Sequence, residues 1–169
     1  WVMALSPVGT AAMLYGYGLS LTRLGARRTL AATSLVSALI LALCWAGLSV
    51  VSGPASALLY VLREGYIVLI IEQYWSFINS TLRPTEAKRV NGPICGLASV
   101  GAILGGLTVG RVAPILGTAP LVLITAISLL PAAALGLYAY RLGGTPRGEQ
   151  EGGAKHGALA LDLFARHRV

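Results

Sequence analysis

The 169-residue chain is 56% hydrophobic and only 11% charged, with a mean hydropathy of +0.74; a soluble domain carries about 25% charged residues, so the composition excludes that class and reads as an all-helical, polytopic membrane protein. Its net charge of +7 does not point to nucleic acid, because the basic residues gather mainly in alternate loops: Arg23, Arg27 and Arg28; Arg83, Lys88 and Arg89; then Arg141, Arg147, Lys155, Arg166 and Arg168. They therefore fall on one side of a bilayer, the cytoplasmic side under the positive-inside rule.

A span needs about 20 apolar residues, and five such segments are predicted, at about 1–21, 29–51, 57–79, 92–112 and 118–140. The first is rich in small residues. It begins at Trp1 without an initiator Met and ends in arginines instead of a small-residue cleavage site, which predicts a chain missing its natural beginning rather than a signal peptide. The short basic turn Thr22 to Arg28 predicts that the second span packs antiparallel to the first. Ser52-Gly53-Pro54-Ala55 predicts an uncharged outer turn before the third span. Pro84 and Glu86-Ala87-Lys88-Arg89 predict a charged cytoplasmic turn after it, and Asn91-Gly92-Pro93 leads into the fourth.

The fourth span holds Gly92, Gly96, Gly101, Gly105, Gly106 and Gly110. Small residues at four-residue spacing let helix backbones approach closely, which fits tight contact, static or sliding. Arg111 and Pro114 bound a predicted outer turn, and Pro131 sits near the middle of the fifth span, where it can free a carbonyl. Residues 141–157 read as a polar linker and 158–168 as a short amphipathic helix. Five spans leave the termini on opposite sides; one more helix before Trp1 would put both inside, as in a six-helix half-transporter.

The third span carries Arg63, Glu64 and Glu72 at hydrocarbon depth, where each ionisable group costs on the order of 2.5–3.5 kcal/mol on insertion scales. At about 100° per residue, Glu64, Glu72, Trp75 and Asn79 share a stripe spanning about 80°, interrupted by Val68 and Ile71. Such a stripe suits the wall of a water-filled path. Arg63 points about 100° from Glu64, so it is expected to pair with a neighbouring helix or snorkel outward; a structural ion pair accounts for Arg63 and Glu64 equally well. Gln73 and Tyr74 face elsewhere, as packing and hydrogen-bonding residues. Trp75 suits either a membrane interface or stacking on a ligand. Glu86, Lys88 and Arg89 are either a solvated turn or a latch whose ion pairs change between transport states. Cys44 and Cys95 read as small packing residues, with no metal-ligand spacing. No phosphate loop, zinc-protease or nucleophile-elbow motif is present, so neither enzyme activity, metal nor cofactor is expected.

Two motifs carry a family resemblance. Gly18-Leu19-Ser20-Leu21-Thr22-Arg23-Leu24-Gly25-Ala26-Arg27-Arg28 resembles the loop signature G-x-x-x-D-R-x-G-R-R of the major facilitator superfamily, with Thr22 in place of the Asp and Ala26 in place of a basic residue. The third span from Tyr66 to Asn79, followed by Glu86-Ala87-Lys88-Arg89 and a glycine-rich helix, resembles the ATP/ADP-translocase-like branch. The resemblance covers about residues 16–110. It implies about helices 2–6 of a twelve-helix carrier, a partial N-terminal half whose C-terminal half is a missing partner, in a bacterial-type inner membrane. It also implies alternating access, with nucleotide exchange as one cargo. Proton-coupled transport of another small solute, or a non-transporting membrane assembly module, stays open beside it. Arg23, Arg27, Arg28, Glu86, Lys88 and Arg89 are the expected cytoplasmic gate, and Glu72, Glu64, Arg63, Trp75 and Asn79 the expected path. The other expected partners are the lipid bilayer and a small-molecule substrate.

Overall fold

The computed structural model describes residues 2–48 and 50–144. They form four α-helices: α1 (Val2–Gly47), α2 (Ser52–Thr81), α3 (Pro84–Leu116) and α4 (Thr118–Gly143). All four are long and apolar enough to cross a membrane, as a multi-pass membrane protein requires. The predicted linker begins later than expected, since Arg141 to Gly143 still belong to α4; the rest of it, and the amphipathic helix at 158–168, lie outside the described residues.

Five spans were predicted and four helical elements are found, because residues 2–47 form one element interrupted only at Gly25. Its φ of 77° and ψ of 166° belong to a backbone region open essentially to glycine. The chain reverses there. Tyr17 and Thr33, eight residues to either side of Gly25, meet α2 at Ser76 and Gln73, three residues apart. Residues 2–24 run in the direction of α2, pairing Gly9 with Val61 and Met13 with Gly65. Residues 26–47 run against it, so that a Cβ on Gly47 would lie 3.9 Å from that of Ala55. Helix α4 again follows α2, with Phe77 edge-on to Tyr140 at 4.9 Å and Gly143 against Thr81.

The joints are shorter than the sequence predicts. Pro54 lies in the first turn of α2, where a missing N–H costs nothing, so Ser52-Gly53-Pro54 opens a helix instead of forming the turn. Only Leu82 and Arg83 separate α2 from α3. Arg83 is extended (φ −75°, ψ 153°), as the residue before a proline prefers. The Glu86 carboxylate accepts the Arg83 N–H at 3.0 Å, an acid in the first turn where the helix dipole favours one. Glu86-Ala87-Lys88-Arg89 is therefore the start of a helix, not a turn. Pro93, Pro114 and Pro131 all lie within helices, and the turn expected around Arg111 and Pro114 contracts to Gly117 (φ 78°).

The core lies between the two arms of α1, α2 and α4, around Tyr17, Cys44, Leu62, Leu69, Ile78, Leu129 and Tyr140. Gly9 and Gly65 permit close approach there: a Cβ on the first would strike Val61 and on the second Met13. Helix α3 has no buried residue, and its six glycines have no neighbour beyond their own helix within reach of a Cβ. The tight contact expected of the glycine-rich helix is not made among the described residues. Leu39, Leu43, Ile103, Leu107, Ile127 and Leu135 point outward with many other large apolar side chains, as a lipid-facing surface does.

Candidate functional site

A groove of about 510 Å³ opens between residues 2–24 and α2. Tyr60, Glu64 and Val68 form its α2 wall, and Met3, Ser6, Pro7, Thr10, Ala11 and Leu14 the other. Two periodicities build it. Tyr60, Glu64 and Val68 recur every four residues and so lie within about 80° on α2, while Ser6, Thr10 and Leu14 do the same on the facing arm. Farther along the same two elements, the Tyr17 and Ser76 hydroxyls share a 2.8 Å hydrogen bond. Of the two carboxylates of α2, Glu64 lines the groove, and Glu72, about 12 Å farther along the axis, does not.

Depth follows from helix length. With 30 residues, α2 is about 45 Å long, against about 30 Å of hydrocarbon. Glu64 is about 18 Å and Glu72 about 30 Å from its start, so both lie at hydrocarbon depth when α2 crosses centrally. Arg63 and Glu64 form an ion pair within α2, the Arg63 Nε lying 3.9 Å from Glu64 Oε1, with side chains 72% and 41% exposed. Flexible side chains bridge the 100° that separates adjacent Cβ directions. The pair is loose, and it partly offsets the charge of Glu64 without closing the groove.

The expected stripe divides. Glu64 faces the groove, while Glu72, Trp75 and Asn79 are exposed on the outer surface of α2. Trp75 stacks edge-on with Tyr74 at 5.5 Å. Gln73 and Tyr74 do bond between elements: the Gln73 amide donates to the Thr33 hydroxyl at 2.7 Å, which donates to the Thr29 carbonyl at 2.7 Å, and the Tyr74 hydroxyl donates to the Asn91 side-chain carbonyl of α3. The Thr29 hydroxyl is wholly buried and has no hydrogen-bond partner among the described residues.

Arg23, Arg27, Arg28, Glu86, Lys88 and Arg89 come together at one end of the bundle and are all exposed. No ion pair joins them to one another or to other described residues. Glu86 serves instead as the cap of α3, so the latch is not formed here. Among the described residues no His, Cys, Asp or Glu cluster could hold a metal.

Sequence reasoning missed Tyr60, Ser6, Thr10, Tyr17 and Ser76. Stepping by four from Glu64 would have found Tyr60 and Ser76; nothing in the sequence pairs α2 with Ser6 and Thr10. A search of protein-family models finds no match, and neither do searches of curated proteins and of solved structures.

Proposed function

We propose that this chain is part of a secondary active transporter that works by alternating access, with the seam between residues 2–24 and α2 forming part of its path. The carrying observation is the groove in which one carboxylate, Glu64, faces Ser6, Thr10 and Tyr60 at hydrocarbon depth. Ionisable groups held there at a cost line ion or substrate pathways, or pair with another charge. The loose Arg63 contact leaves Glu64 open to a ligand.

The groove favours a proton or a small cationic solute as the species bound at Glu64, since a carboxylate repels anions. Nucleotide exchange rests on the resemblance to the ATP/ADP-translocase-like branch of the major facilitator superfamily. Near the spans, the exposed guanidinium groups of Arg63 and Arg111 are suited to a phosphate. On this reading the basic end faces the cytoplasm of a bacterial-type inner membrane, and its cations set orientation.

Uptake into proteoliposomes separates the cases. Uncoupler-sensitive transport of a non-nucleotide solute supports proton coupling, and uncoupler-insensitive ATP/ADP exchange supports the nucleotide reading. A protein that moves no solute but self-associates through the free glycine face of α3 is an assembly module, and the transporter reading then fails.

A further inference from the structure

The basic end of the bundle is a concentrated charge for which no described group compensates. The helix directions bring Arg23, Arg27 and Arg28 of the Gly25 reversal to the same end of the bundle as Arg83, Lys88 and Arg89 of the α2–α3 joint and Arg141 at the end of α4. All seven are exposed. The only carboxylate among the described residues at this end, Glu86, is engaged with the Arg83 N–H. Residues 26–47 and α3 also begin here, which directs the positive ends of two helix dipoles toward Arg27, Arg28, Lys88 and Arg89. Cations are disfavoured in that position and anions favoured. The opposite end carries Arg111 as its nearest described charge.

We propose that this end is a binding surface for anionic phospholipid headgroups, held chiefly by Arg27, Arg28, Lys88 and Arg89. The partner follows from depth and charge. Helices of about 45–50 Å, from the 30 and 33 residues of α2 and α3, exceed the hydrocarbon by about 15–20 Å, which leaves these residues among headgroups. Clustered Lys and Arg beside a membrane segment bind anionic lipid through charge that screens with salt. The arginines add planar donors that match phosphate oxygens.

The test is lipid retention by the purified chain, read by native mass spectrometry after equilibration with phosphatidylglycerol and phosphatidylcholine at low and high salt. Preferential retention of phosphatidylglycerol at low salt is expected. Its relative affinity should fall about fivefold for each cation removed in R27Q/R28Q and in K88Q/R89Q, and high salt should abolish it. The two double variants are compared with the parent by thermal unfolding in phosphatidylcholine, so that a variant that fails to fold leaves the other to decide. Equal retention of the two lipids, or a preference unchanged in a folded double variant, overturns the proposal. So does displacement of phosphatidylglycerol by an equal concentration of inorganic phosphate, because the site would then recognise a free anion.

Discussion

Glu64 and Glu72 come from the same row of α2 but occupy different surroundings. Glu64 faces a groove with three hydroxyl-bearing neighbours, whereas Glu72, about two turns farther along α2, is exposed outside that groove. Glu64→Gln is therefore expected to lower transport by at least tenfold while leaving thermal stability unchanged. Glu72→Gln should have the smaller effect, and an initial-rate comparison in proteoliposomes orders the two. Packing makes a separate prediction. Gly65→Ala places a methyl group against Met13 and should cost about 1–3 kcal/mol as overpacking; Gly101→Ala, with open space around it, should stay within about 0.5 kcal/mol. Unfolding in mixed micelles measures both. The bonding roles of Gln73 and Tyr74 were legible because each is a polar group off the stripe that must find a partner in lipid. Ser6 and Thr10 were not. A helical Ser or Thr can return its hydroxyl to a carbonyl of the preceding turn, as Ser20, Thr33 and Thr108 do, so its presence in an apolar segment carries little cost and little signal.

At the scale of elements, Gly25 decides how residues 2–47 are used. A continuous helix of 46 residues would reach about 69 Å, more than twice the hydrocarbon thickness. The reversal instead lays both arms against α2. Gly25→Ala forces a non-glycine residue into the same φ and ψ and is expected to cost about 1–3 kcal/mol, measured as a lowered unfolding midpoint. Gly18→Ala, within a regular turn and facing open space, should not lower it. The position of the basic reversal was readable from Thr22 to Arg28. The other boundaries differ because a proline in the first turn of a helix, as Pro54 is in α2, is preorganised instead of breaking it, and in lipid a helix is the default means of satisfying the backbone. The joints accordingly shrink to Leu82–Arg83 and to Gly117.

Across the whole molecule, the order of the apolar segments and the spacing of arginines were enough to predict a basic end, because that depends only on how often the chain reverses. The seam was not predictable in the same way. It depends on the rotation of residues 2–24 and α2 about their own axes, which is set by where Gly9 and Gly65 admit Val61 and Met13. Cross-linking tests that rotation: a Ser6→Cys and Glu64→Cys pair should be joined by a short bifunctional reagent, while a pair at Ser6 and Ile67 should not, because Ile67 lies outside the groove wall. The central claim is that the groove at Glu64 is part of a transport path. Its most direct test is transport by the parent and by Glu64→Gln in proteoliposomes, with and without a covalent thiol reagent on Thr10→Cys. Loss of transport in Glu64→Gln, and inhibition of Thr10→Cys that substrate or low pH protects against, is the predicted result; full activity in both the glutamine variant and the modified cysteine variant would contradict it.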